Sequence, residues 1–412
     1  MQDREERLAA DARVLALSGG VLWLIVISGV MVTLLFVLAQ QQTSFMLTAD
    51  PDTQAIQIDF RVFWAAGQLA WQGEPLAAFD MARLGAVHGI VVPDEWMPWL
   101  YPPGYLVLLM PFGAMSFPVS FLIATLLSIV LIGLAVRPFT AKSLPVWLAM
   151  TMAPAYIPAL LLGQNSILWL AGLVAALAAL RDKRWILAGV LIGCLTLKPQ
   201  LGLLIPVALL AAGLWRTIFV AAATAIVLAA VPTLFFGVEY WPLMLDRMTQ
   251  TGASVALSVE HLFLMVGTLR LFTLFGFSSG MAILMQWVVM LLSAVIVGIL
   301  WRSKRVSFDA KAAGLLLAIL LSAPYLWYYE VAMMAVIGLF LLRAGLLGDS
   351  VLQRGLLFCL WLGGALQTAN TAFGFADEGM LGATLIMPVL LASMAILLFS
   401  AAATRHASVS EG

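Results

Sequence analysis

Residues 17–39 read LSGGVLWLIVISGVMVTLLFVLA, a run without one charged side chain. At ~1.5 Å per helical residue it is long enough to cross a bilayer core of ~30 Å. It is too long for the core of a cleavable signal. The stub before it, MQDREERLAADAR, mixes acidic and basic groups. Both features predict a retained first helix behind a cytoplasmic N-terminus. Similar runs recur along the chain. Of 412 residues, 63% are hydrophobic and 10% charged, and the mean hydropathy is +1.05. That is too little charge to cover a soluble protein of this length. The ten-residue alternation of an outer-membrane barrel is absent. The expected fold class is all-α, a polytopic helical membrane protein forming one membrane-embedded domain over 1–412.

Candidate spans are 17–39, 118–136, 144–162, 166–180, 185–197, 201–215, 217–236, 281–300, 312–328, 331–347, 356–370 and 380–403, about twelve in all. The stretches 103–117 and 262–278 read as short spans or re-entrant pieces. With the N-terminus inside, most of the 21 lysines and arginines fall on the inner side, as the positive-inside rule requires. Most acidic groups, including Asp59, Glu74, Asp80, Asp94 and Glu95, then lie outside, so a net charge of zero conceals a polarised molecule. The expected location is the inner (plasma) membrane, with the polar loop 41–100 on the periplasmic or extracellular face. Cys194 and Cys359 sit in apolar runs and read as small core residues rather than a disulfide or metal pair.

Loop 41–100 has structure of its own. Residues 58–72, IDFRVFWAAGQLAWQ, are mostly helix formers, and Gly73 and Pro75 stop the helix. Asp80 is placed to cap a second short helix over 81–90. Both helices suit the membrane interface.

Asp59 is the leading chemical candidate: a carboxylate here can take a proton from an attacking hydroxyl. It can equally cap the helix that follows it. Arg61 and a dense set of aromatics accompany it. Trp96, Pro98 and Trp99 lead into Tyr101-Pro102-Pro103; the tryptophans read first as an interfacial belt, while Tyr101 is placed to point into a site. Gln164 and Asn165 follow Gly163, and their amides suit sugar hydroxyls, a phosphate or a helix break. Lys198 lies within apolar sequence on both sides, a costly position that favours a phosphate contact over snorkelling. His261 opens an apolar stretch, as a site residue or a headgroup contact. Arg270 lies inside that stretch, to be satisfied by Glu260 or by a ligand phosphate. Tyr328, Tyr329 and Glu330 close a late aromatic run suited to stacking on a sugar or prenyl chain, or to a belt. Glu330 favours the site.

There is no P-loop, no dinucleotide-binding fingerprint, no zinc-type His/Cys cluster and no basic stripe for nucleic acid. A lone carboxylate is thin support for a divalent cation, so neither a metal nor another cofactor is expected. No internal repeat is evident, which disfavours a transporter or flippase.

Asp59…Phe63-Trp64-Ala65-Ala66…Gly73-Glu74-Pro75-Leu76…Phe79-Asp80, then Tyr101-Pro102-Pro103…Pro111, resembles the first external loop of glycosyltransferase family 87, within the GT-C superfamily. Gly163-Gln164-Asn165, Ala188-Gly189…Lys198-Pro199 and Ser322-Ala323-Pro324…Tyr328-Tyr329 resemble its later motifs. The motifs are weak singly and fairly specific in their order. The resemblance implies a GT-C-like fold and transfer of a sugar, mannose or another hexose, from a polyprenyl-phosphate donor. The acceptor would be the hydroxyl of a glycan or glycolipid at the outer face of the bilayer. It implies Asp59 as catalytic base and Lys198 as a contact of the donor phosphate. Members often carry histidine in the late motif, where this chain has Tyr328 and Tyr329. The alternatives are a transporter or flippase of lipid-linked sugars, and an oligosaccharide polymerase or ligase; the early position of the large loop argues against the last two.

Overall fold

The structure is a computed structural model that describes residues 2–17, 20–49, 58–89, 97–258, 264–348, 350–373 and 378–409. Among these the chain is helical, with one isolated antiparallel bridge between Met265 and Trp327. The helices are α1 Gln2–Ala16, α2 Gly20–Ala49, α3 Phe60–Trp71, α4 Met81–His88, α5 Pro103–Gly113, α6 Phe117–Val136, α7 Leu144–Thr151, α8 Ile157–Leu162, α9 Ser166–Arg181 and α10 Trp185–Cys194. They continue with α11 Ile205–Ala211, α12 Trp215–Phe236, α13 Tyr240–Ser258, α14 Thr268–Leu274, α15 Ser279–Arg302, α16 Phe308–Ser322, α17 Met333–Arg343, α18 Val351–Leu362, α19 Ala365–Phe373 and α20 Glu378–Val409.

Five segments of the described chain are long and apolar enough to cross a membrane: Phe117–Phe139, Leu144–Leu162, Trp215–Phe236, Ser279–Arg302 and Gly382–Ala401. Their burial separates two kinds of apolar helix. Every residue of α17 is buried, and α16 is buried on nearly all sides. A helix apolar all round belongs inside a bundle or in lipid. By contrast α12 buries only Thr217 and Pro232 and leaves Leu234 83% and Phe235 80% exposed. Such a face has no place in water and suits hydrocarbon. This is an all-α membrane protein.

Several expected spans are broken in the structure. Over 201–214 only the seven residues of α11 are α-helix, and α12 begins at Trp215. Over 331–347 the helix is the eleven-residue α17, and 356–370 divides between α18 and α19. Hydropathy is blind to these breaks because a kinked, protein-buried segment is as apolar as a straight one. The stretch 103–117 resolves as the 11-residue α5, about 16 Å long and half the hydrocarbon thickness. It packs on α3 and α12. Both cysteines are free and exposed. They lie on outward faces of α10 and α18, which hydropathy cannot tell from core.

The charged groups expected on the inner side gather at one end. Arg7 pairs with Asp182 at 3.0 Å, and Arg181 donates to the Pro138 carbonyl at 3.1 Å. Arg343 is 1% exposed. Its Nη1 donates to Asp11 and to the Phe139 carbonyl, both at 2.8 Å, and its Nε to Asp309 at 3.1 Å. One guanidinium thus ties α1, α16, α17 and the turn after α6 together. Arg343→Ala leaves the Asp309 carboxylate buried without its partner, at a cost of roughly 3–5 kcal/mol. The expected result is a clearly lower thermal unfolding midpoint in detergent; an unchanged midpoint refutes the clamp.

Candidate active site

The opposite end of the bundle is built on an aromatic core. The Phe60 ring meets Phe63, Phe112, Phe117 and Phe121 at centroid distances of 5.7 to 6.4 Å. Trp99 is fully buried and donates through Nε1 to the Tyr240 hydroxyl at 2.7 Å. Tyr240 in turn donates to the Tyr101 carbonyl at 2.9 Å. Trp99 is therefore a core residue rather than part of an interfacial belt. Trp96 lies outside the described residues.

This core fixes α3, and α3 fixes Asp59 at its N-terminus. Asp59 makes no side-chain capping bond, so the capping alternative falls. Asp80 does cap α4, accepting from the backbone N–H of Ala82 and Arg83. The Asp59 carboxylate instead accepts from Gln164 Nε2 at 2.6 Å. Gly163 permits this approach. Its φ is +67°, and a Cβ there would come within 2.5 Å of the Phe60 Cβ, so only glycine fits.

Lys198 stands between two short 3-10 turns, Leu195–Leu197 and Pro199–Leu201. Pro199 has no N–H to continue a helix, and the Leu195 carbonyl at the break accepts from Trp169 Nε1 at 3.1 Å. The break turns Lys198 inward, where it is 3% exposed. It is not snorkelling. Its Nζ lies 3.1 Å from Asn165 Oδ1, 3.3 Å from Ser166 Oγ and 3.1 Å from Glu330 Oε1. An ammonium has three donors, and this geometry engages each. The Tyr329 ring lies 5.5 Å from the same nitrogen. The Asn165 amide also hydrogen-bonds Tyr101 and Tyr105.

Gln164, Asn165 and Ser166 are consecutive, so one short segment joins the carboxylate of Asp59 to the ammonium of Lys198. Asp59 keeps part of its surface open, yet its carboxyl is enclosed enough for burial to push its pKa up to about 6. The Gln164 hydrogen bond and the Lys198 charge pull the other way. Gln164 Oε1 is buried with no hydrogen-bond partner among the described residues.

The late motif is held by main-chain bonds. Val266 N–H donates to the Leu326 carbonyl at 2.8 Å and Tyr328 N–H to the Leu264 carbonyl at 3.0 Å. Burial and then the nearby Asp59 charge push the pKa of the Tyr328 hydroxyl up, so it stays a neutral phenol beside the carboxylate. Of the residues singled out in the sequence, Asp59, Tyr101, Gln164, Asn165, Lys198, Tyr328 and Glu330 converge here. Arg61 does not. Two positions along a helix turn a side chain by about 200°, so Arg61 faces away from Asp59. It donates to the His88 carbonyl at 3.1 Å and lies 4.4 Å over the Phe117 ring. Arg270 is buried on α14, with Nη1 3.4 Å from the Thr273 hydroxyl. His261 and Glu260 lie outside the described residues. Sequence reading missed Ser166, Tyr105 and the contact of Tyr329 with Lys198. Ser166 directly follows Asn165, and Tyr105 lies one turn after Tyr101, so adjacency to known candidates was the available signal.

A family model described as glycosyltransferase family 87 matches residues 99–326, more than half of the chain. The chain belongs to glycosyltransferase family 87. Membership implies glycosyl transfer, and with it a sugar donor and an acceptor. The matched range includes Tyr101, Gln164, Asn165 and Lys198; Tyr328 and Glu330 lie just past its end, and Asp59 lies well before its start. Comparison with curated proteins gives no significant match, and neither does comparison with solved structures.

The ion pair is open to a direct test. Glu330→Gln strands a buried ammonium and should cost roughly 3–5 kcal/mol. Lys198→Met combined with Glu330→Gln removes both charges and should recover much of that loss. Thermal unfolding of the two single variants and the double gives the coupling, and additive effects refute the contact.

Proposed function

We propose that this family 87 glycosyltransferase moves a hexose, mannose by the family resemblance, from a polyprenyl-phosphate donor to an acceptor hydroxyl on a glycan or glycolipid. The acceptor O–H gives its proton to Asp59 as its oxygen bonds the anomeric carbon. The bond from that carbon to the phosphate oxygen breaks, and its electron pair leaves with polyprenyl phosphate. A base on one face and a cation on the other give a single displacement with inversion. The observation that carries this reading is the coupling of Asp59 and Lys198 through the adjacent residues Gln164, Asn165 and Ser166. It supplies a proton acceptor and a cation within one enclosed site, and low dielectric strengthens both.

The charged partners refine the role of Lys198. Its donors are already engaged, so the departing phosphate gains its contact by displacing Ser166, the longest of the three. Glu330 then keeps the ammonium aligned. The polarised charge pattern favours an external site, with the basic end toward the cytoplasm in an inner membrane crossed several times. The 16-residue α9 runs from Ser166 in the site to Arg181 in the basic cluster, about 24 Å away. GT-C-like architecture over the whole chain, with 41–100 as the external loop, fits this arrangement. Family membership favours transfer over transport.

Purified protein incubated with a panel of prenyl-phosphate hexoses and a lipid acceptor extract, read by mass spectrometry, tests the reading. Asp59→Asn should lower transfer roughly a hundredfold or more, and full activity in that variant removes the base assignment. The pH profile carries a second test. A base must be ionised, so activity should be complete above pH 7 and fall as pH drops through about 6. Gln164→Leu deletes a bond that lowers this pKa and should shift the acid limb upward. A limb that stays in place would refute that bond's influence on Asp59.

A further inference from the structure

A cavity lined by none of the site residues lies at the basic end of the bundle. It has a volume of about 790 Å³ and lies among α1, α2, α7, α17 and α18. Its walls are apolar: Ile25, Val26, Ala149, Leu339, Leu357 and Trp361. Its size is that of a small-molecule pocket. It adjoins an outer surface on which Leu15, Ile25 and Phe358 are exposed, so its apolar lining continues into the face that hydrocarbon would cover.

The polar part of the lining includes two guanidinium groups. Arg13 donates from Nη1 to the Arg343 carbonyl at 2.7 Å. Arg354 donates from Nε to the Gly348 carbonyl at 2.8 Å. Among the described residues neither forms an ion pair. The neighbouring carboxylates Asp11 and Asp309 are both committed to Arg343. Asp349, the acidic residue nearest to Arg354 in sequence, lies outside the described residues. Arginine has five N–H donors, so each side chain retains several beyond its single carbonyl contact.

An apolar slot open to hydrocarbon, with two guanidinium groups beside it that form no ion pair among the described residues, matches one chemistry: an acyl chain carrying a phosphate. Guanidinium and phosphate pair strongly and in two-pronged geometry, and basic groups at the inner membrane surface attract anionic lipid. We propose that this groove binds an anionic glycerophospholipid of the surrounding membrane, its acyl chain along Ile25 and Trp361 and its phosphate between Arg13 and Arg354. The lipid would fasten α1 and α18 to the central helix α17 at a point distinct from the Lys198 site.

Native mass spectrometry of the delipidated full-length protein, titrated with phosphatidylglycerol and with phosphatidylcholine, tests this. Wild type should retain phosphatidylglycerol about tenfold more strongly. The double variant Arg13→Gln, Arg354→Gln should lose that preference. Ala16→Trp keeps both arginines and fills the groove from α1, so it should lose retention of either lipid while eluting as a folded species. Equal retention of the two lipids by wild type overturns the proposal. So does an unchanged preference in the double variant, or full retention in Ala16→Trp. Displacement of bound phosphatidylglycerol by an equimolar amount of polyprenyl phosphate overturns the assignment of the occupant.

Discussion

The Lys198 ammonium has three hydrogens, and the fold supplies acceptors for them from two distant regions. Asn165 and Ser166 begin α9, and Glu330 leads into α17. Lys198 itself sits at the break after α10. An ammonium buried to this depth without acceptors would be driven to deprotonate or to leave, so the helix break, the two amino-terminal ends and the aromatic lid of Tyr329 are constrained together. Asn165 extends the constraint to Tyr101 and Tyr105, and Gln164, its neighbour in sequence, carries it to Asp59.

A buried ion pair is weak evidence for stability. Well-packed apolar residues of similar volume are often as good or better, because removing two charges from water costs about as much as their attraction returns. The Lys198–Glu330 pair lies among apolar helices where leucine or methionine would pack as well. Its presence is better understood as a means of holding a cation at a fixed place beside a carboxylate. The contrast with Arg343 is instructive. That guanidinium is as deeply buried, but its partners are structural: a helix carboxylate, a backbone carbonyl and the amino-terminal helix. It fastens elements: both of its carboxylates, Asp11 and Asp309, bind it directly, whereas Asp59 reaches Lys198 only through the adjacent residues Gln164, Asn165 and Ser166.

Much of this was legible in the sequence because cost is legible. Lys198 was conspicuous as a charge in apolar sequence, and it lies at the centre of a buried polar cluster. The motif Gly163-Gln164-Asn165 was visible, and its glycine proved necessary for the approach to Phe60. Asp80 capped as its spacing suggested, whereas Asp59, in an equivalent position before a helix, did not. Local sequence cannot separate those two outcomes, since the deciding partner, Gln164, lies 105 residues away. Arg61 was misplaced for a similar reason: nearness in sequence suggested a shared site, and helical rotation sent it to His88 and Phe117 instead. The breaks within apolar runs, the outward-facing cysteines and the buried Trp99 were hidden because hydropathy measures what a segment avoids. It does not report which neighbour the segment meets.

The environment of Asp59 joins these strands. Burial favours its protonated form, while full exposure would leave it ionised but weakly basic. Here burial raises its pKa, and the Gln164 amide and the Lys198 charge restrain the rise, leaving it near 6. A proposed general base is most effective with a pKa close to the working pH. The cation that would receive the leaving phosphate is thus also one of the groups that keep the base ionised. In the proposed reaction, phosphate charge gathering around Lys198 would weaken its influence on Asp59 and make the carboxylate more basic, so proton uptake and leaving-group departure would be coupled through the same nitrogen.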